Sequence, residues 1–218
     1  MKTNEITALN AQLVELLGAA NKGVNVEIAE ADFDLLKNGK YALCFAKKVG
    51  DNFNVVWKSS KDFLMLNSFT WTPLYQLFGT NSFKGGVTVK ASTYNQKCGL
   101  GQTCTLDANG KLSSAVDGGS KTALHLTNQY GPVHAGVNQM VTGIDGKEEA
   151  LPIYVSEKQI IKGTNDLTPK ESVLVWFEQN IETSTMFSTS RSNAVELDLT
   201  GTNQISVNYS EGEWIIVG

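Results

Sequence analysis

The sequence predicts a mainly β protein: an antiparallel β-sandwich forming a single domain over residues 1–218, with one amphipathic helix over residues 3–22 packed on it. Three observations carry that expectation. From about Tyr41 onward, short segments alternate apolar and polar residues. Gly, Asn and Asp turns separate those segments. Only near the N-terminus does the apolar period lengthen from two to three and four, which is the helical spacing.

Ile6, Leu9, Leu13, Leu16, Leu17 and Ala20 form the helical stripe, with Thr3 or Asn4 placed to cap its start and Gly23 to close its end. Tyr41, Leu43 and Phe45 then alternate with Ala42, Cys44 and Ala46, and Gly50-Asp51-Asn52 turns the chain into a strand at Phe53–Trp57. Val87, Val89 and Ala91 read as a further strand. Asn109-Gly110 between Thr105-Leu106 and Lys111-Leu112 is the strongest hairpin signal. Leu124 and Leu126 alternate with His125 and Thr127, which predicts the leucines inward and His125 outward. Asp145-Gly146 marks a turn. Val195–Leu199, Ile205–Tyr209 and Trp214–Val217 complete the set, the last two joined by a turn at Ser210-Glu211-Gly212. Clean alternation means one buried and one wet face. Val173-Leu174-Val175-Trp176-Phe177 is unbroken instead, so both of its faces are expected to be covered, with the N-terminal helix as the cover. Pro73, Pro132, Pro152 and Pro169 are expected at strand ends or turns, because proline cannot donate to a ladder.

Composition removes several functional classes. The chain is 41% hydrophobic and 18% charged, with a net charge of -4. That leaves no basic surplus to neutralise a phosphate backbone, so nucleic acid is not an expected partner. Arg191 is the only arginine, where a general anion-binding surface would use several. No cationic segment followed by an apolar run opens the chain, and no stretch approaches the roughly 20 apolar residues of a membrane span. The expectations are a cytoplasmic location and no membrane span. Cys44, Cys98 and Cys104 make an odd count, for which free thiols are the default; Cys98 and Cys104 flank a short loop and could face each other.

Catalytic signatures are missing. His125 and His134 are the two histidines, with no HExxH or CxxC beside them to complete a zinc set. No GxSxG elbow occurs, and Gly99-Leu100-Gly101 lacks the third glycine of a dinucleotide loop. Glu196 and Asp198 share a strand face and read as solvated charges. The expectation is a protein that is not an enzyme.

The densest unusual segment is Phe63 to Phe83. The chain has nine Phe, six Tyr and four Trp, and six of these rings lie here. Rings interleaved with Asn67, Thr70 and Gln76 suit a pocket for a flat organic ligand, and equally suit the filling between two sheets. A second polar region, Ala123 to Met140, holds both histidines and Tyr130. The candidate ligand-binding residues are Phe69, Trp71, Tyr75, His125, Tyr130, His134, Trp176 and Arg191.

The overall size and acidity, the opening Met-Lys-Thr-Asn-Glu-Ile, the Asn/Thr/Gly-rich strands and the closing Asn-Tyr-Ser-Glu-Gly-Glu-Trp-Ile-Ile give a resemblance. The chain resembles the small cytosolic β-sandwich proteins of fungal fruit bodies, a group of lectins and chromoproteins. That resemblance implies a non-enzymatic carrier of an indolone-type chromophore, with Mg or Ca near the ligand, on a fold like fruit-body lectins and actinoporins. It carries over no residue by position. The alternative is a carbohydrate-binding lectin or cytolysin-like defence protein, with Trp71 or Tyr130 as the stacking platform. Sandwich edge strands pair unless blunted, which makes a homodimer the expected assembly.

Overall fold

The structure is a computed structural model and describes residues 21–217. Its elements in chain order are β1 (Lys22–Ile28), α1 (Glu30–Asn38), β2 (Tyr41–Val49), β3 (Lys58–Ser60), β4 (Leu66–Thr80), β5 (Gln96–Lys97), β6 (Gln102–Leu106), β7 (Val116–Asp117), β8 (Leu124–Asn128), β9 (His134–Thr142), β10 (Glu148–Val155), β11 (Gly163–Leu167), β12 (Pro169–Gln179), β13 (Ala194–Asp198), β14 (Gln204–Ser210) and β15 (Glu213–Val217). The protein is mainly β.

The strands form three sheets. The largest has seven strands in the order β10-β9-β4-β1-β14-β15, with β5 also paired to β4. The other two have four strands each, β11-β8-β6-β7 and β13-β12-β2-β3. Most pairs are antiparallel, as the alternation predicts. Two are parallel, β1 with β14 and β6 with β8. The 15-residue β4 organises the large sheet: its first half pairs with β1, its second half with β9.

One apolar core joins the sheets. It gathers Phe45 from β2, Phe69 and Trp71 from β4, and Leu106, Leu124 and Leu126 from the β6–β8 pair. The unbroken apolar run in β12 lies centrally between β13 and β2, with both faces covered as expected. Val173 and Val175 face the main core. On the other face Trp176 packs with Ile181, Phe187 and Val56, which come from connecting segments, so among the described residues the cover on this side is loop.

Several expectations are corrected. The N-terminal helix falls largely on residues 1–20, outside the described residues, and its last position, Lys22, is already in β1, where Gly23 pairs with Thr70. The helix among the described residues is α1, with Glu30 and Asp32 in its first turn, Lys37 in its last, and the Gly39 N–H closing on Leu35 O. Phe53–Trp57 and Val87–Ala91 are not strands; each makes an isolated bridge, Val55 to Met186 and Thr88 to Thr185. Pro73 and Pro152 sit inside β4 and β10 rather than at strand ends. Both lie at register shifts, between Trp71 and Tyr75 and between Pro152 and Tyr154, where the ladder does without a donor. No helix among the described residues is long and apolar enough to cross a membrane.

Candidate functional site

Phe69, Trp71 and Tyr75 alternate along β4 and all point inward. Phe69 stacks on Phe45 with centroids 4.1 Å apart, and Trp57 meets Phe69 edge-on at 5.1 Å and Trp71 at 5.6 Å. These rings interlock across the sheets. Phe69 and Trp71 are filling, and Trp71 presents no face for a sugar to stack on.

Tyr75 differs because the register shift between Trp71 and Tyr75 opens β4 beside it. Gln139 fills the gap from β9, donating from Nε2 to Thr72 O at 2.9 Å. Gln139 Oε1 and Thr72 Oγ1 are buried there without a hydrogen-bond partner among the described residues. Outside the bulge lies a cleft of about 240 Å³ lined by Pro73, Leu74, Tyr75 and Gln76 of β4, Met140 of β9, Ala150 of β10, and Lys97, Cys98, Gly99 and Gln102 around the β5–β6 loop. Its walls are mostly apolar. The polar groups on it are few: Gln76, which accepts from Asn138 Nδ2 at 3.2 Å, Gln102, which accepts from Gly99 N at 2.9 Å, and the exposed Lys97. Burial pushes the Tyr75 phenol up, and the nearby Glu171 carboxylate adds to that, so it is a neutral donor at ordinary pH.

Behind Tyr75 is a group the sequence reading missed. Lys47 is fully buried, its Nζ 2.7 Å from Glu171 Oε2 and 4.7 Å from the Trp71 ring centroid. Glu171 is turned to it by the register shift between Pro169 and Val173 in β12, and also accepts from Trp71 Nε1 at 3.4 Å. Burial lowers the Lys47 pKa to about 8 despite the carboxylate. The signal was available: Leu43, Phe45, Lys47 and Val49 share one parity of β2.

His125 is buried rather than facing outward, because the loop after β7 folds over it and Gly119 lies against its ring. Nδ1 is 2.7 Å from Asp166 Oδ1 and Nε2 is 3.1 Å from Ser120 O. Only the imidazolium can donate to both acceptors. Burial works against that charge, but the Ser120 carbonyl and the Asp166 carboxylate outweigh it and raise the pKa. This is not a hydrolytic triad: Nε2 meets the Ser120 carbonyl, while Ser120 Oγ bonds Thr122 Oγ1 at 3.0 Å. His134 is also buried, with Nδ1 2.7 Å from Ser156 O. Tyr130 is half-exposed, its ring over the turn at Gly110.

Trp176 and Arg191 come together on the far face of β12. Trp176 Nε1 donates to Glu178 Oε2 at 2.7 Å, and Arg191 Nε lies 3.0 Å from the same oxygen. The guanidinium covers the Phe187 ring at 4.4 Å. The lone arginine is therefore held by a carboxylate and an aromatic face. A polar groove beside it contains Lys61, Thr88, Asn180 and Glu182. The candidate residues thus divide among the sandwiched core, the cleft, the β8 region and this groove; they do not form one site.

Among the described residues no group of three or more His, Cys, Asp or Glu side chains is placed to hold a metal ion. No protein-family model, curated protein or solved structure matches this chain. The likeness to fungal fruit-body proteins accordingly has no counterpart in those comparisons.

Proposed function

We propose that this protein is a non-enzymatic binder of a small, flat, mostly apolar ligand, seated in the cleft bounded by Tyr75, Leu74, Met140 and Ala150. One observation carries the reading: an apolar cleft opens where β4 bulges, with a few polar groups at its edge, which is the usual make-up of a small-molecule site. At about 240 Å³ it lies below the roughly 300 Å³ where drug-sized pockets begin, so the guest is one or two fused rings. An indolone-type pigment has that size and shape. Its ring would lie along Leu74 and Met140, its carbonyl would accept from the side-chain amide of Gln76 or Gln102, and Lys97 would meet an anionic substituent. The ligand is taken without a cation, because no carboxylate lines the cleft.

The test is native mass spectrometry and visible absorption of protein from its natural source, with oxindole titrated into recombinant protein and followed through the Met140 methyl and Tyr75 ring resonances. Excess mass and a band lost on denaturation support the reading. The half-buried Ala150 replaced by Phe should plug the cleft and abolish the oxindole shifts while leaving the fold intact. Shifts that persist unchanged in Ala150→Phe would place the ligand elsewhere.

A lectin reading keeps one observation in its favour, the half-exposed Tyr130 ring beside the Asn109-Gly110 turn. The groove of Asp32, Tyr41, Asn193 and Tyr209 does not add to it. Asp32 accepts from the Glu211 and Gly212 N–H groups, and Asn193 donates to Tyr209 Oη and Gly212 O, so these polar groups are committed to a turn. Glycan binding lost in Tyr130→Ala would favour this reading over the first.

A further inference from the structure

We propose that Cys98 and Cys104 are a facing dithiol that is oxidised by small-molecule disulfides and closes to an intramolecular disulfide in the wall of the cleft. The inference goes beyond the ligand reading and does not depend on it.

The loop between the two cysteines is pinned on both sides. Cys98 N–H donates to Tyr75 O at 3.1 Å, Gln102 N–H to Gly99 O at 3.1 Å, and Gly101 N–H to Ala123 O at 2.8 Å. Gly101 takes φ 78°, a conformation open to glycine, and lets the chain double back. The two side chains thereby cross. Cys98 Sγ reaches Gln102 O at 3.5 Å and Cys104 Sγ reaches Lys97 O at 4.0 Å, so each sulfur lies against the backbone of the segment that carries the other. Both are reduced. Cys98 lines the cleft, which gives a reagent a route in, while Cys104 is enclosed behind it. Interaction between the two sulfurs raises the Cys98 thiol and lowers the Cys104 thiol, so that one proton lost leaves the thiolate on Cys104. Cys44 is an internal control: it lies in the separate cluster with Trp176, and burial pushes its thiol up.

The chemistry is thiol–disulfide exchange. As the Cys98 sulfur, the one on the cleft, attacks one sulfur of the small disulfide, the Cys104 thiolate takes the Cys98 S–H proton; that S–S bond breaks, a mixed disulfide forms on Cys98, and the first small thiolate leaves and takes a proton from water. Cys104 then gives up its proton and attacks the Cys98 sulfur, and the second small thiol leaves with that proton. Two protein thiols are oxidised and one small disulfide is reduced to two thiols. Because Lys97, Cys98, Gly99 and Gln102 all line the cleft, closure fixes that wall.

The experiment incubates the native protein with oxidised glutathione, blocks free thiols and maps the tryptic digest. Cleavage after Lys97 and Lys111 places both cysteines in one peptide and Cys44 in another. The expected result is a loss of two hydrogens from the peptide spanning 98–111, near-complete blocking of Cys44, and no lasting glutathione adduct on the wild type. Cys104→Ser should instead hold the adduct on Cys98. Three blocked thiols in the treated wild type, or a stable wild-type adduct, would overturn the proposal, as would oxidation spread equally over Cys44.

Discussion

Phe45 of β2 and Phe69 of β4 lie face to face, 4.1 Å between centroids and 4° from parallel, and this stack joins the seven-stranded sheet to the β2 sheet. Both rings are buried among Trp57 and Trp71. The pair therefore reports on stability, not on ligand contact.

Phe69→Ala should cost about 3–5 kcal/mol of unfolding free energy, the range for deleting a buried aromatic ring. Urea denaturation measures it. The cost of the Phe45→Ala/Phe69→Ala double variant should be less than the sum of the two singles, because the rings share one contact. A near-neutral Phe69→Ala would mean that the ring faces an open cavity.

The pH dependence of stability should carry the Lys47 signature. Its amine titrates at about 8 when folded and near 10.5 when unfolded, so between those values the unfolded chain binds more protons. Stability from this group is absent below about pH 8 and is gained as pH rises toward 10.5, up to about 3 kcal/mol. Cys44 and Tyr75 oppose it, since their raised folded values make stability fall above their ordinary 9.0 and 10.0. The measurement is therefore a difference: wild type against Lys47→Met, at pH 7 and pH 9.5. Lys47→Met should be the more stable at pH 7, with the gap narrowing at pH 9.5.

His125 should act in the opposite sense. Its folded pKa is raised, so its contribution is fully present below its ordinary 6.5 and is lost as pH rises through the folded value. Imidazole resonances followed by NMR should titrate above 6.5 in the wild type, and Asp166→Asn should bring them down. An unchanged titration in Asp166→Asn would leave the Ser120 carbonyl as the sole source of the shift.

Gly136→Ala should destabilise by about 1–3 kcal/mol, because the Phe78 ring of the neighbouring strand lies over the glycine where a Cβ would stand. Gly136→Ala combined with Phe78→Leu should recover part of that loss. Thermal melts of the two variants decide it.

Much of the β architecture was legible. The period-two runs of β2, β8, β13, β14 and β15 appear as strands, and the unbroken run at Val173–Phe177 is the central strand. The short α1 was not legible, since a nine-residue helix with one buried residue leaves almost no stripe. Lys47 shares the inward parity of Leu43, Phe45 and Val49, and a charged residue type gives no sign of such burial. Of the candidate site, Tyr75 was named in advance; Met140, Ala150, Lys97, Cys98 and Gln102 were not, because they come from distant parts of the chain.

Alternation determined by itself which faces of the strands are apolar, because side chains point to opposite sides of a strand with a period of two. Which face meets which was decided only by tertiary structure. The pairing of β4 with β1, β5 and β9, and the bulges at Pro73 and Pro152, set the cleft and carried Phe69 and Trp71 away from it, and no local pattern records contacts between residues so far apart in sequence.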